Sequence, residues 1–134
     1  LHKEYRRQRQ MCIRDRFGPI QNGVNEFIKT PKLDELFEKY AIEVGEEVSY
    51  DDFGFGSTDT GNVSHIVPTI HPHVKIGSRN LVGHTHRFRE AAASVHGDQA
   101  LIRGAKIIAL MGLELIENKK LFDEVVEQHS QIKG

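Results

Sequence analysis

The chain has 134 residues, of which 38% are hydrophobic and 28% charged, and its formal net charge at pH 7 is -1. This length supports one compact domain, and this composition excludes a largely disordered chain. No apolar run approaches the roughly 20 residues that a membrane-spanning helix needs, so we expect no membrane partner. The single cysteine, Cys12, cannot form an internal disulfide and favours a reducing, cytoplasmic setting.

The amino-terminal region differs in charge from the rest of the chain. Residues 1–16 hold six of the 18 Lys and Arg side chains and two of the 19 Asp and Glu. Basic tails can bind nucleic acid, form a solvated face or act as transit peptides, but transit peptides are Ser-rich and this segment has no Ser. The string from Gln8 to Arg16 resembles translated sequencing-adapter read-through. We therefore interpret residues 1–16 as a non-native tail, expect no nucleic-acid partner, and interpret residues 17–29 as an irregular connector.

The next segment has the pattern of an amphipathic helix. Thr30 and Pro31 suit the N-cap and the first helical position, and Gly45 suits the end of the helix. Residues 46–52 and 74–77 are predicted to form short strands. The apolar positions that recur at helical spacing are Leu33, Leu36, Phe37, Tyr40 and Ala41.

A glycine-rich turn surrounds the Ser-Thr-Asp sequence of residues 57–59. Glycine lets the backbone turn tightly and approach a ligand closely. Either Thr58 or Asp59 can cap a short helix that runs towards Val67 and ends at Pro68.

The carboxyl-terminal third is predicted to be helical. Between residues 99 and 118 a narrow polar stripe faces outwards and nearly all other positions are apolar or small, so this helix is expected to pack broadly against a sheet. The outward positions are Arg103, Lys106, Glu114 and Glu117. Asn118 is expected to cap a final helix, whose inward side chains are Leu121, Phe122, Val125 and Val126.

Five of the eight histidines lie between Gly56 and Phe88, close to the acidic turn. Neutral imidazoles with nearby carboxylates are the ligand set that zinc and similar divalent ions prefer. The residues by themselves therefore indicate a metal-dependent enzyme. The histidines that we interpret individually as surface or capping residues are His65, His73, His96 and His129.

Several motifs occur here in a family-specific order. They are Gly56-Ser57-Thr58-Asp59, Pro68, Val74-Lys75-Ile76-Gly77 and His84-Thr85-His86-Arg87-Phe88. This order resembles that of the co-catalytic di-zinc amidohydrolases and metallopeptidases, the group of aminoacylase, carboxypeptidase G and p-aminobenzoyl-glutamate hydrolase. The stretches most similar to the aminoacyl-lysine dipeptidase-like branch are Gly61-Asn62-Val63-Ser64 and Ile70-His71-Pro72.

The resemblance implies a fold, a cofactor and a site. Residues 17–29 would be the connector from a missing lid domain. Residues 30–134 would form the C-terminal part of a zinc-exopeptidase-like catalytic domain, an α/β fold with helices packed on a mixed sheet. The metal ligand would be His84, with His86 as the alternative. The cofactor would be zinc, as two divalent ions in the full-length family, with manganese or cobalt as alternatives. The implied substrate-binding residues are Ser57, Thr58, Asp59, Asn62 and His71.

The resemblance also implies a reaction. In that family a metal-activated water attacks an amide carbonyl while a glutamate acts as general base. The upstream ligand motifs and the glutamate pair are not found in this sequence, and Glu46-Glu47 lies on the wrong side of the turn to replace them. The parent protein is therefore expected to hydrolyse small dipeptides or N-acyl or aminobenzoyl amino acids, as a homodimer if a missing lid domain mediates dimerisation. This fragment alone is expected to be inactive.

Two other interpretations start from the same residues. The alternative to an enzyme is a stand-alone metal- or small-ligand-binding module, in which the histidine pairs 71/73 and 84/86 supply the four ligands of one closed zinc site. Asp59-Thr60-Gly61 also spells the Asp-Thr-Gly of aspartic proteases. Those enzymes place the aspartate directly after an apolar strand, whereas glycines precede it here, and three-residue matches arise easily.

Overall fold

The computed structural model describes residues 23–50 and 58–133 and contains five helices in these ranges. In chain order, α1 to α5 span Pro31–Glu43, Thr60–Ser64, His86–Ala92, Val95–Glu117 and Lys119–Lys133. Residues 23–29 are irregular, as expected for the connector. The predicted non-native tail lies outside the described residues.

Helix α1 follows its predicted pattern. It begins at Pro31, and Gly45 lies just beyond its end with a φ of 86°, a conformation that glycine adopts without a steric penalty. The predicted side-chain cap at Thr30 does not form. Its hydroxyl instead accepts a hydrogen bond from Thr69 N at 3.4 Å, which joins the start of α1 to a distant loop. The buried residues of its apolar stripe are Leu33, Leu36 and Ala41.

The core lies where α4 crosses α1. Leu36 and Ala41 pack there against Ile107 and Met111 of α4, and Ile107 is completely buried. Such burial stabilises a fold by about 1.5–3 kcal/mol for each large aliphatic side chain. Helix α5 completes the layer through Val125, which is also buried.

Two of the four polar side chains predicted to face outwards, Arg103 and Glu114, contact other elements instead, whereas Lys106 and Glu117 are exposed as predicted. Glu114 Oε2 accepts hydrogen bonds from Lys39 Nζ at 2.6 Å and from Tyr40 Oη at 2.5 Å. Both bonds lower the pKa of the Glu114 carboxyl, and the bond from Lys39 has the larger effect. Arg103 forms an ion pair with Glu46. Arg103 and Glu114 therefore form part of the contact with α1 and the chain that follows it.

The predicted α/β fold, with helices on a mixed sheet, is wrong for the described residues, which contain no strand. Residues 46–50 and 74–77 are irregular, and residues 51–52 lie outside the description. An extended segment becomes a strand only when a neighbouring segment satisfies its backbone hydrogen bonds. Residues 74–77 have no such neighbour among the described residues. They lie against α4 instead, because the side chain of Val74 faces Gly104, where an added Cβ would lie 3.5 Å from Val74 Cγ2.

The face of α4 opposite the core is apolar and exposed. Its large side chains are Leu101, Ile102, Ile108, Leu113 and Ile116, whose exposed fractions run from 51% to 82%. The broad burial predicted for this helix is therefore wrong on that side, because α1 and α5 both contact the other side. Across the described ranges, no helix combines the length and apolar content needed to cross a bilayer.

Candidate functional site

The connector is held by the side chain of Asn62, in α2. Asn62 Oδ1 accepts a hydrogen bond from Asn25 N at 2.8 Å, and its Nδ2 donates one to Gly23 O at 3.0 Å. At the neighbouring Gly61, the backbone of α2 is in contact with the backbone of the connector, since a Cβ added to Gly61 would lie 2.1 Å from Asn25 O. Both polar atoms of Asn62, a predicted substrate-binding residue, therefore hold two chain segments together.

A buried histidine joins α5 to the same place. His129 is 5% exposed, and its Nε2 lies 2.6 Å from Ser64 O. Because a carbonyl oxygen only accepts, Nε2 must carry the proton and donate. The Ser64 hydroxyl accepts from Ile28 N at 2.9 Å and donates to Gly61 O at 2.6 Å. The predicted surface position of His129 is therefore wrong, whereas the alternative of a capping role agrees with its bond to Ser64 O at the end of α2. We call residues 23–30, residues 60–65 and His129 together the α2 seam.

The predicted turn before α2 is partly described. Thr58 Oγ1 accepts hydrogen bonds from the backbone N and the hydroxyl of Thr60, at 3.4 and 3.3 Å. Asp59 is exposed and makes no capping bond. The helix ends at Ser64, before the expected Val67. Ser57 lies outside the described residues, so the substrate role of this turn stays a prediction.

Four other histidines lie on residues 71–88, which we call the histidine segment. His71 and His73 are exposed, with ring centroids 5.2 Å apart. Pro72 between them biases His71 towards an extended backbone, and side chains two apart on extended chain point the same way. The structure thus brings this pair together.

His84, the predicted metal ligand, has an unusual backbone. Its φ of 59° is the only positive value for a non-glycine residue in the described ranges. This left-handed region costs L-residues about 1–2 kcal/mol. The side chain is exposed, and within the described structure neither His84 nor His86 makes a side-chain hydrogen bond. The imidazole nitrogens of His84 therefore face no competing partner there.

His86 does not lie beside His84 on a strand, as the sequence interpretation assumed. It is the first residue of α3, and Thr85 between the two histidines is the N-cap. His86 lines a shallow cavity of about 390 Å³. The other lining residues are Asn80, Leu81, Val82, Thr85 and Arg87.

A complete metal site is not present in the part of the chain that the structure describes. No group of three or more His, Cys, Asp or Glu side chains there is arranged to hold an ion. The pairs 71/73 and 84/86 accordingly do not combine into one four-ligand site. His84 fits a metal only as one contributed ligand, because its imidazole is exposed and unbonded.

Neither the Thr85 cap nor the left-handed backbone of His84 was predicted from the sequence. The cap could have been predicted, because Thr85 directly precedes helical sequence and threonine is a preferred N-cap residue. The left-handed conformation of His84 could not have been predicted, since histidine adopts it only occasionally.

No family model matches the chain. Over 72 residues, 54% of this chain, it is 43% identical to the human Xaa-Arg dipeptidase. Over 70 residues, 52% of this chain, it is 41% identical to the mouse Xaa-Arg dipeptidase. Each match covers 16% of the length of the curated relative. The similarity to these two dipeptidases extends over about half of this chain.

Proposed function

We propose that this chain is the C-terminal part of a metal-dependent amidohydrolase that cleaves the amide bond of small dipeptides or N-acyl amino acids. The observation that carries the proposal is the 43% identity over 72 residues with a dipeptidase. The name of that relative, Xaa-Arg dipeptidase, makes a dipeptide ending in arginine the first substrate to test.

The exposed side chains of the histidine segment and of the turn before α2 have the right chemistry for this role. His84 would contribute one ligand to a divalent ion, zinc first and manganese or cobalt as alternatives. Such an ion supplies activation of water and polarisation of the amide carbonyl. Asp59 and His71 are exposed and would bind the substrate together with Ser57 and Thr58.

The remaining ligands and the general base would lie elsewhere in a longer polypeptide, because the described residues hold no group of three ligands. The 134-residue chain by itself would then be inactive. A cytoplasmic location, which the single cysteine favours, and a homodimer, which the family resemblance implies, are part of the same proposal.

The test uses the longer protein encoded around this chain, purified with zinc and assayed on an alanyl-arginine dipeptide. His84→Ala should lower kcat/KM at least a hundredfold and lower the bound zinc measured by elemental analysis. His73→Ala, an exposed histidine outside the proposed site, is the matched control and should change neither.

Two results would contradict the proposal. One is full activity in His84→Ala. The other is metal-dependent turnover by the 134-residue chain alone. Tight, stoichiometric zinc binding by this chain without turnover would instead support the binding module.

A further inference from the structure

The left-handed backbone of His84 needs support from its surroundings. Unfavourable φ values in non-glycine residues persist only where neighbouring structure holds them. Packing does not provide that support, since residues 82–90 are all exposed. Nor does the imidazole, which forms no hydrogen bond within the described structure. The support must therefore come from bonds made by the adjacent chain.

Thr85 makes those bonds. Its Oγ1 donates to Val82 O at 2.7 Å and accepts from Phe88 N at 3.2 Å. One hydroxyl thus links Val82 to Phe88 in the first turn of α3. Gly83 and His84 form the short loop between Val82 and Thr85.

A second cap in the same chain shows why the hydroxyl is critical at Thr85. Ser94 caps α4 in the same way, donating to Ala91 O at 2.6 Å and accepting from Gly97 N at 3.3 Å. There the turn is closed a second time, by a backbone bond from Ser94 N to Ala91 O at 3.2 Å. Residues 83 and 84 also form a turn, but its backbone contact from Thr85 N to Val82 O falls short of a well-formed hydrogen bond. Among the bonds of the described residues, the well-formed one that closes the turn at His84 is therefore that of the Thr85 hydroxyl.

We propose that Thr85 is a positioning residue, whose hydroxyl holds His84 in its left-handed conformation. The link to metal binding rests on the function proposed above; the link to the backbone of His84 does not. Thr85 itself would touch neither metal nor substrate.

The first experiment measures the backbone of His84 directly. A left-handed residue gives a strong NOE between its own amide and α protons, and this can be recorded on the labelled 134-residue chain. Thr85→Val removes both hydroxyl bonds at nearly constant shape and should abolish the strong NOE. Thr85→Asp still caps α3, but an ionised carboxylate cannot donate to Val82 O, so it should abolish the NOE too.

Two controls separate positioning from ordinary capping. Thr85→Ser keeps the hydroxyl and should restore the NOE. Ser94→Ala removes the analogous hydroxyl, leaves the backbone bond that closes its turn, and should preserve the NOE at His84. If the NOE persists in Thr85→Val or Thr85→Asp, Thr85 does not hold His84 and the inference is wrong.

The second experiment measures zinc affinity in the longer protein by competition with a chelator. Thr85→Val should weaken zinc about tenfold, at the lower end of the loss seen when a group that orients a ligand is removed, and Thr85→Ser should restore it. Unchanged affinity alongside a lost NOE would overturn the positioning role. Full activity of His84→Ala would instead overturn the proposed function and leave the NOE result standing.

Discussion

The α2 seam and the histidine segment use the same residue type in opposite ways. In the seam, the imidazoles of His65 and His129 each contact a backbone carbonyl, of Glu26 at 3.0 Å and of Ser64 at 2.6 Å. In the histidine segment, the imidazoles are exposed and, as far as the structure describes them, make no hydrogen bond. Histidines that hold the fold together are thus separate from those available to a ligand, and substitutions should distinguish the two sets.

The largest expected effect is that of His129→Ala. It removes a buried side chain and leaves the Ser64 carbonyl without its donor, which should lower the free energy of unfolding by about 3 kcal/mol. Urea denaturation followed by circular dichroism measures this loss. His73→Ala is the matched control and should stay within about 0.5 kcal/mol of the parent. Equal effects of the two substitutions would remove the contrast between the two regions.

Gly61→Ala should destabilise by about 2 kcal/mol, because the new Cβ would meet the backbone oxygen of Asn25 and force the connector away. Gly112→Ala is the control with the opposite sign. It lies inside α4 with no atom within 4 Å of the added Cβ, so it should stabilise by about 0.5–1 kcal/mol. Thermal unfolding of both variants tests whether the seam is as closely packed as the structure indicates.

Asn62→Ala should lower the free energy of unfolding by about 1 kcal/mol, since two exposed hydrogen bonds to the connector are lost. Hydrogen exchange should also show faster exchange at Asn25, whose amide donates to Asn62. Asn80→Ala, on the exposed histidine segment, should change neither stability nor exchange at Asn25. If Asn62→Ala changed neither stability nor exchange at Asn25, the Asn62 amide would not hold the connector and would be free to bind substrate.

The smallest effect distinguishes two histidines within the same segment. His84→Gly relieves the left-handed backbone and should stabilise by up to about 1 kcal/mol. His73→Gly relieves nothing, as His73 has no positive φ, and should destabilise by about 0.5–1 kcal/mol through the entropy of the unfolded chain. The difference in melting temperature between these two variants measures the strain at His84.

The predictable parts of the fold were those with local causes. Helix α1 was expected from Pro31, the spacing of its apolar residues and Gly45, and the cap at Asn118 was also correct, because Asn118 Oδ1 accepts from Leu121 N at 3.1 Å. The sheet was wrong because strands depend on partners that sequence periodicity cannot supply. The burial of His129 was missed for a related reason: its partner, Ser64, is 65 residues away.

The candidate site was predictable only as a set of residue types. Histidine spacing indicated which imidazoles to consider, but not that His84 would be left-handed or that His86 would begin a helix. The amide of Asn62 belonged to the same predicted set, and its two bonds to the connector depend on a contact across 37 residues. Local spacing carries no information about such contacts.

The bare apolar face of α4 has a calorimetric consequence. Most of the heat-capacity increase on unfolding comes from apolar surface newly exposed to water. Side chains such as Ile108 and Ile116, exposed by 72% and 82%, are already hydrated in the folded chain. Its heat-capacity change should therefore fall below the usual 12–15 or so cal/mol/K per residue, and its free energy should depend less steeply on urea than is normal for a chain of this length.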